Sequence, residues 1–317
     1  MVYWPGITPR VHAARDQLHW LARVVLMCGM TGMCACGRAP MLRIHFIDAG
    51  YGDAILLHDG SGHALLVDGG YGANETDQGR QTVVPYLQAN GIMRLDAMFC
   101  THSHPDHAGG LVDVVRALPV TQFIRPAWGQ TNAYTAALGE LCAARNIPVS
   151  IAGRGAEWKW GDVHITALHP PAGGADVVDE PCDLNANSLA LEVRFGRARV
   201  LLLADITTPV LRELHAAGLL SPAVLVKIPH HGHRDAYDEG IVRALAPQHA
   251  VLTIGANPYG APAPDVIRGY EALCTLWRTD RDGTITAEVS AGGSVIVGAR
   301  KGKEDGSARS GQRHTTK

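Results

Sequence analysis

The sequence predicts an α/β protein built as one four-layer sandwich, helix–sheet–sheet–helix, over residues 41–299. Three observations predict it. Short apolar runs open each half of that span, and helical and strand-like segments then alternate to its end. Turns rich in glycine, asparagine and aspartate separate the runs, and no repeat or low-complexity stretch interrupts them. The composition supplies a core: of 317 residues 46% are hydrophobic and 18% charged, which excludes disorder as a global description. Two such halves would bury their sheets against each other and set active residues on loops at one edge.

Leu42 to Asp48 alternates as a strand and turns at Ala49–Gly52. Ala54 to Leu57 and Ala64 to Val67 form a hairpin around Asp59-Gly60-Ser61-Gly62. Thr82 to Gln88 reads as a helix stopped at Asn90-Gly91, and Leu95 to Cys100 as a strand. Helices over Gly110–Leu118 and Ala133–Arg145 alternate with strands at Thr121–Ile124 and Pro148–Ile151. The second half starts again with strands at Val163–Leu168, Ser188–Phe195 and Ala198–Leu203. Helices at Thr208–Ala217, Tyr237–Leu245 and Pro264–Leu273 then alternate with strands at Val224–Ile228 and Ala250–Ile254. A hairpin, Thr284–Val289 with Ser294–Val297, closes the domain.

Residues 1–40 read as a leader. Arg10, Arg15 and Arg23 precede the apolar run Val24–Met30, far short of the ~20 residues that span a bilayer, so no transmembrane span is expected. With Met33-Cys34-Ala35-Cys36-Gly37 behind it, the segment resembles a bacterial lipoprotein signal with Cys36 acylated, which implies export. The competing reading is a mis-started N-terminus, with Met41 opening a cytoplasmic protein. Residues 300–317, rich in Gly, Ser, Lys and Arg, read as a disordered tail. The seven cysteines show no C-x-x-C pair and no even framework, which argues against a zinc ribbon or a disulfide scaffold.

A net charge of −2 gives no basic field to hold a polyanion, so an architectural nucleic-acid binder is excluded while an enzyme acting on nucleic acid is not. The unusual count is 16 histidines against four phenylalanines. His102, His104, Asp106 and His107 fall within six residues, after a buried-type strand and before Gly109-Gly110. Zinc takes imidazole nitrogen and carboxylate oxygen, and His102 and His104, two apart on extended chain, share a face and grip one ion. Asp106 and His107 open the next turn and hold a second. Partners are expected at other strand ends. Asp205 ends the apolar run Leu201–Ala204 and suits a bridge between two cations, its alternative role being a helix cap. Pro229-His230-His231-Gly232-His233 ends another strand, and Asp68 after Leu65–Val67 is a carboxylate placed to orient a ligand histidine.

These motifs resemble the metallo-β-lactamase superfamily of binuclear metal hydrolases. Within it the chain is most similar to the hydrolase domain of ComEC-type competence proteins and their stand-alone relatives. Phe46 to Ala54 looks like that group's F-x-D-V-G-Q-G-D-A, Lys227 to Gly232 like its K-x-P-H-H-G, Asn187-Ser188-Leu189 like its N-S-L, and Thr279 to Gly283 like its T-D-R-D-G. The resemblance implies an αββα fold with two zinc ions, or manganese in their place. It carries His102 and His104 to the first metal, Asp106 and His107 to the second, Asp205 to the bridge and His230 to the late ligand. His231 then faces the substrate, with Lys227 assisting a phosphate or leaving group; these two histidines' roles are exchangeable. Asp53, Asp68 and Asn187 support the ligands from behind.

Departures from the group are His104 where it commonly has aspartate, His233 where it has serine, and Ala261 and Ala263 where it has G-H-P-H-P. No third-motif histidine stands near Asn185–Asn187. The expected activity is metal-assisted hydrolysis, a water of pKa lowered from 15.7 to about 7 attacking an electrophile with Asp106 holding its proton. The substrate is a phosphodiester by the resemblance; a lactone, thioester or β-lactam is the alternative, and a metal-binding module with impaired catalysis the reading from another class.

Overall fold

The computed structural model describes residues 1, 40–127, 131–173 and 184–300. Residues 2–39 of the expected leader and 301–317 of the expected tail, with Cys28, Cys34, Cys36 and Cys182, lie outside them. No helix among the described residues is long and apolar enough to cross a membrane.

Alternation builds the first half. Leu42, Ile44 and Phe46 of β1 (Met41–Phe46) share one face and are buried. β1 pairs antiparallel with β2 (Ile55–Asp59), which turns into β3 (Ala64–Val67). Asp59 closes that turn by accepting from the amides of Ser61 and His63. A wide helical turn at Gly79–Val83 and α1 (Val84–Ala89) lead to β4 (Ala97–Phe99), which runs parallel to β3. The single turn α2 (Pro105–Ala108) and α3 (Leu111–Ala117) precede β5 (Phe123–Arg125), and α4 (Ala133–Ala144) precedes β6 (Val149–Ile151), both added in parallel.

The second half repeats this order. β7 (Glu157–Trp160), β8 (Val163–His169), β9 (Ala190–Phe195) and β10 (Ala198–Leu202) are antiparallel neighbours. After them α5 (Thr208–Ala216), β11 (Leu225–Lys227), α6 (Glu239–Leu245), β12 (His249–Leu252), α7 (Pro264–Glu271) and β13 (Thr275–Arg278) alternate, the strands parallel. β14 (Thr284–Ser290) and β15 (Val295–Arg300) return to the first sheet beside β1. The sheets run β15-β14-β1-β2-β3-β4-β5-β6 and β13-β12-β11-β10-β9-β8-β7.

Phe46, Leu57 and Phe99 of one sheet and Val193, Phe195 and Val200 of the other belong to one buried cluster, so the sheets face each other. The outer face of the first carries Leu56, Leu66 and Met98 against Leu111, Val114 and Leu138 of its helices. The outer face of the second packs Leu201 and Val226 on Leu211, Leu214 and Leu245, and Leu252 on Val266 and Tyr270. These are the four layers the sequence predicts. Two strands it does not predict, β7 and β13, are sheet edges of four residues each, too short and too exposed to leave a hydrophobic signature.

The carboxyl ends of β3, β4, β10, β11 and β12 gather at one edge and carry Asp68, Thr101–His107, Asp205, His230–His231 and Thr253. Gly109 and Gly110 work there by leaving room rather than by folding the chain back. A Cβ on Gly110 would lie 1.9 Å from the Gly69 carbonyl oxygen, and one on Gly109 2.4 Å from the Gly72 nitrogen. Backbone cannot yield as a flexible side chain does. Gly110→Ala is therefore expected to destabilise the fold by about 2 kcal/mol or more, whereas Gly139→Ala, on an exposed turn of α4 with nothing within 4 Å of its Cβ, should stabilise it by about 0.5–1 kcal/mol. Urea unfolding of the two variants checks the sign of each.

Candidate metal centre

Backbone strain is concentrated where the strand ends meet. Asp68, Ala204, His230 and His231 all have left-handed backbones, with φ of 59°, 46°, 48° and 49°. Each costs a non-glycine residue about 1–3 kcal/mol and persists only where packing imposes it. Ala204 turns the chain out of β10 so that Asp205 points inward, and its carbonyl accepts from the His230 amide at 2.9 Å. Asp205 is thus no helix cap: α5 starts at Thr208 behind Thr207, and Asp205 is buried among histidines.

Hydrogen bonds set the tautomers. His107 Nδ1 donates to Asp68 Oδ2 (2.9 Å) and His231 Nδ1 to the Thr253 carbonyl (2.9 Å). His102 Nδ1 donates to Thr101 Oγ1 (3.0 Å), whose own hydrogen goes to Asp68 Oδ2 (2.7 Å). Asp68 Oδ1 accepts from the Thr101 amide, so this carboxylate stands behind two of the three rings. All three rings are left with Nε2 lone pairs facing one place. There His107 Nε2 lies 3.2 Å from His231 Nε2, 3.2 Å from Asp205 Oδ2 and 3.6 Å from Asp106 Oδ2. His231 Nε2 lies 3.4 Å from Asp205 Oδ2 and 3.5 Å from Asp106 Oδ2. Beside them His102 Nε2 is 3.0 Å from His104 Nδ1 and 3.9 Å from Asp205 Oδ2.

Lone pairs and carboxylate oxygens do not converge at such distances without positive charge between them. Four ligand atoms 2.0–2.2 Å from a tetrahedral zinc are about 3.3–3.6 Å from one another, close to the separations of His107 and His231 from each other and of each from Asp106 and Asp205. The donor set therefore fits a divalent ion, and His102 extends it, with His104 at 3.0 Å and Asp205 at 3.9 Å from its Nε2.

The geometry corrects two expectations. His231, not His230, is the late histidine in the cluster. Two successive left-handed residues reverse the chain after Pro229, turning the second ring inward and the first outward. His230 is half-buried, with Nδ1 on Asp235 (2.9 Å) and Nε2 near Asn185 Nδ2 (3.1 Å). Lys227 does not reach a substrate. It is fully buried, and Nζ is taken up by Asp53 Oδ2 (2.5 Å), the Ala204 carbonyl (2.9 Å) and Asp205 Oδ1 (3.5 Å). Asp53 also accepts from Thr253 Oγ1 (2.5 Å), which places it beneath the cluster.

The turn at 184–187 brings Asn185 to the site; Asn187 is half-buried in it. His169 reaches the same turn but spends Nε2 on the Ala186 carbonyl (2.8 Å). Sequence reasoning assigned no role to Asn185, Asp235 or the tyrosines at 51, 71 and 259, which lie far apart along the chain; Tyr51 stands within the Phe46–Ala54 motif, the one signal that pointed toward it. A cavity of about 740 Å³ opens over the cluster, reaching His104, Asp106, Asp205, His230 and His233.

Electrostatics agree with the geometry. Burial opposes charge on His231, but Asp205 and Asp106 raise it to about 9. Burial likewise opposes His107, and Asp205, Asp106 and Asp68 push it well above the ordinary value. Asp106 and Asp205 are held well below theirs, His107 and His231 outweighing the cost of burial. Ions and protons thus compete for the same place. Because the folded value for His231 exceeds the unfolded 6.5, its contribution to stability is complete below pH 6.5 and is lost as pH rises through about 9. Chelator-treated protein is expected to unfold at lower urea at pH 9 than at pH 6.5. Zinc addition near pH 7 should release protons, read with an indicator dye, and zinc affinity should rise with pH.

A family model described as the Metallo-beta-lactamase superfamily matches residues 47–233. The chain is 25% identical over 240 residues to Recombination protein 2 of Haemophilus influenzae, covering 75% of this chain and 28% of that protein. It is 29% identical over 250 residues to Competence protein ComA of Neisseria gonorrhoeae, covering 78% and 32%. The chain thus spans about a third of the length of these curated relatives. In fold it resembles the metallo-beta-lactamase fold protein YhfI from Bacillus subtilis, with a TM-score of 0.51 at 14% identity, over 82% of this chain and 100% of that one. A matching span of more than half the chain, on a four-layer sandwich with its histidines and aspartates gathered at the strand ends, makes this protein a member of the metallo-beta-lactamase superfamily, with relatives among the ComEC-type competence proteins.

Proposed function

We propose that the protein is a binuclear zinc hydrolase acting on phosphodiesters. The observation that carries the metal reading is the convergence of the His107 and His231 Nε2 atoms, 3.2 Å apart, with Asp106 and Asp205 each 3.2–3.6 Å from both, and with His102 on the far side of Asp205. Similarity to competence and recombination proteins supports the choice of phosphodiester over other esters.

His102, His104 and Asp205 would hold one ion, and Asp106, His107, His231 and Asp205 the other. Ions there supply Lewis acidity, lowering the pKa of water and polarising a phosphoryl oxygen. The chain's own part is to place and deprotonate. Asp106, which both lines the cavity and touches His231, would hold the proton of the attacking water on the carboxylate oxygen that the ion does not take. His230, turned to the cavity, takes the substrate-facing role that the sequence gives His231. Asp235 fixes its Nδ1 hydrogen and leaves Nε2 toward the substrate side, beside Asn185. Lys227 positions Asp205 and Asp53 instead of meeting a phosphate.

Zinc-loaded protein should hydrolyse bis-p-nitrophenyl phosphate in preference to a lactone and nitrocefin; turnover of only the last two would sink the phosphodiester reading. His102→Ala with Asp106→Ala is expected to lower metal content below two ions per chain and turnover by about 10³-fold or more. A double variant that keeps two ions per chain would overturn the ligand assignment.

A further inference from the structure

The lining of the cavity is chemically mixed: beside the histidines and aspartates of the cluster stand Tyr51, Tyr71 and Tyr259. The Tyr51 and Tyr259 rings are 5.2 Å apart and tilted by 45°, and Tyr71 lines the cavity with them. Tyr51 is braced from behind, its ring 4.5 Å from that of His231 and its hydroxyl 3.1 Å from His233 Nε2. Tyr259 is 58% exposed, unusual for so large a ring, yet its loop is held in place. Asn257 accepts from the Tyr259 amide (3.0 Å) and donates to the carbonyls of Gly255 and Ala261 (2.9 Å each). Gly255 lies against the turn carrying Tyr51, where an added Cβ would meet the Gly50 carbonyl carbon at 2.4 Å. The aromatic wall is therefore preformed, and a flat ring seating on it meets little ordering cost.

Charge narrows what the ring belongs to. No lysine or arginine is among the described residues lining this cavity, and Glu75 stands in it. Within the cavity, among the described residues, a long polyanion would find no cationic side chain to hold it. A volume of about 740 Å³ is that of a small-molecule site, with room for one or two nucleotides.

We infer that Tyr51, Tyr71 and Tyr259 form a subsite for a planar ring of the substrate, and that the substrate class is a small phosphodiester carrying a nucleobase or aryl group. The inference rests on the phosphodiester reading above. Stacking on Tyr259 accounts for selectivity between ring-bearing and ring-free phosphates, while the cluster binds what the two have in common.

The test is binding by titration calorimetry to zinc-loaded protein, with thymidine 5′-monophosphate and methyl phosphate as probes. The nucleotide is expected to bind about tenfold tighter than methyl phosphate. Tyr259→Ala should bring the ratio of the two dissociation constants to about one, and Tyr259→Phe should keep it near ten. A ratio near one in the unaltered protein, or one that survives Tyr259→Ala, overturns the subsite and leaves the reaction standing. Methyl phosphate that fails to bind at all overturns both. In turnover, a dinucleotide should be cleaved at least as efficiently as a single-stranded 20-mer per bond; a tenfold preference for the 20-mer would also overturn the inference.

Discussion

The strand-end edge is organised around an excess of buried negative charge. Asp53, Asp68, Asp106 and Asp205 are buried there with a single ammonium, that of Lys227, and Lys227 meets only two of them. Each unbalanced ion in such a place costs on the order of several kcal/mol. Histidines whose Nδ1 hydrogens are committed elsewhere add lone pairs rather than relief. The site is stable in the form in which cations, either protons or divalent ions, occupy the space between the Nε2 atoms and the carboxylates. The left-handed residues and close glycine contacts follow from this demand, since ordinary helix and strand geometry would not bring five strand ends so near.

The sandwich makes this strain tolerable. Both sheets present buried alternating faces to one another, and the outer faces are covered by helices, so the edge is a small part of a large apolar structure. Loops that carry the ligands are short and tied across: the Asp53 amide meets the Asp106 carbonyl, and the Gly69 amide the His107 carbonyl. A ligand set held from several strands at once is preorganised before any ion arrives.

Most of the layered fold was legible because its signals are local: period-two runs, turn residues and helix stops each act within a few positions. His102, His104, Asp106 and His107 were legible for the same reason, six residues of chain at one strand end. The order of His230 and His231 was not, because it depends on two left-handed residues that no pattern announces. The direction of Lys227 was partly legible. On β11 it shares a face with Leu225, which lies in the layer between the sheets, whereas Val226 points to the helices. Reading the strand's parity places the ammonium inside. Tyr51 and Tyr259 meet only through tertiary packing of loops some 200 positions apart, where sequence spacing carries no information.

On the binuclear reading proposed above, the two metal places would be unequal, and the inequality would have a direction. The one that His107, His231, Asp106 and Asp205 would form has four side-chain donors, and both of its histidines are fully buried. The one formed by His102, His104 and Asp205 has three, and His104 is half-buried and lines the cavity. A catalytic ion keeps a position open for water or substrate, whereas a closed shell of protein donors suits holding rather than reacting. On that reading donor count and the burial of its histidines would make the His107 and His231 place the tighter one, and the His104 place the more open. Asn185, which lines the cavity from the turn at 184–187 where a further histidine could stand, would on the same reading leave that place open to substrate.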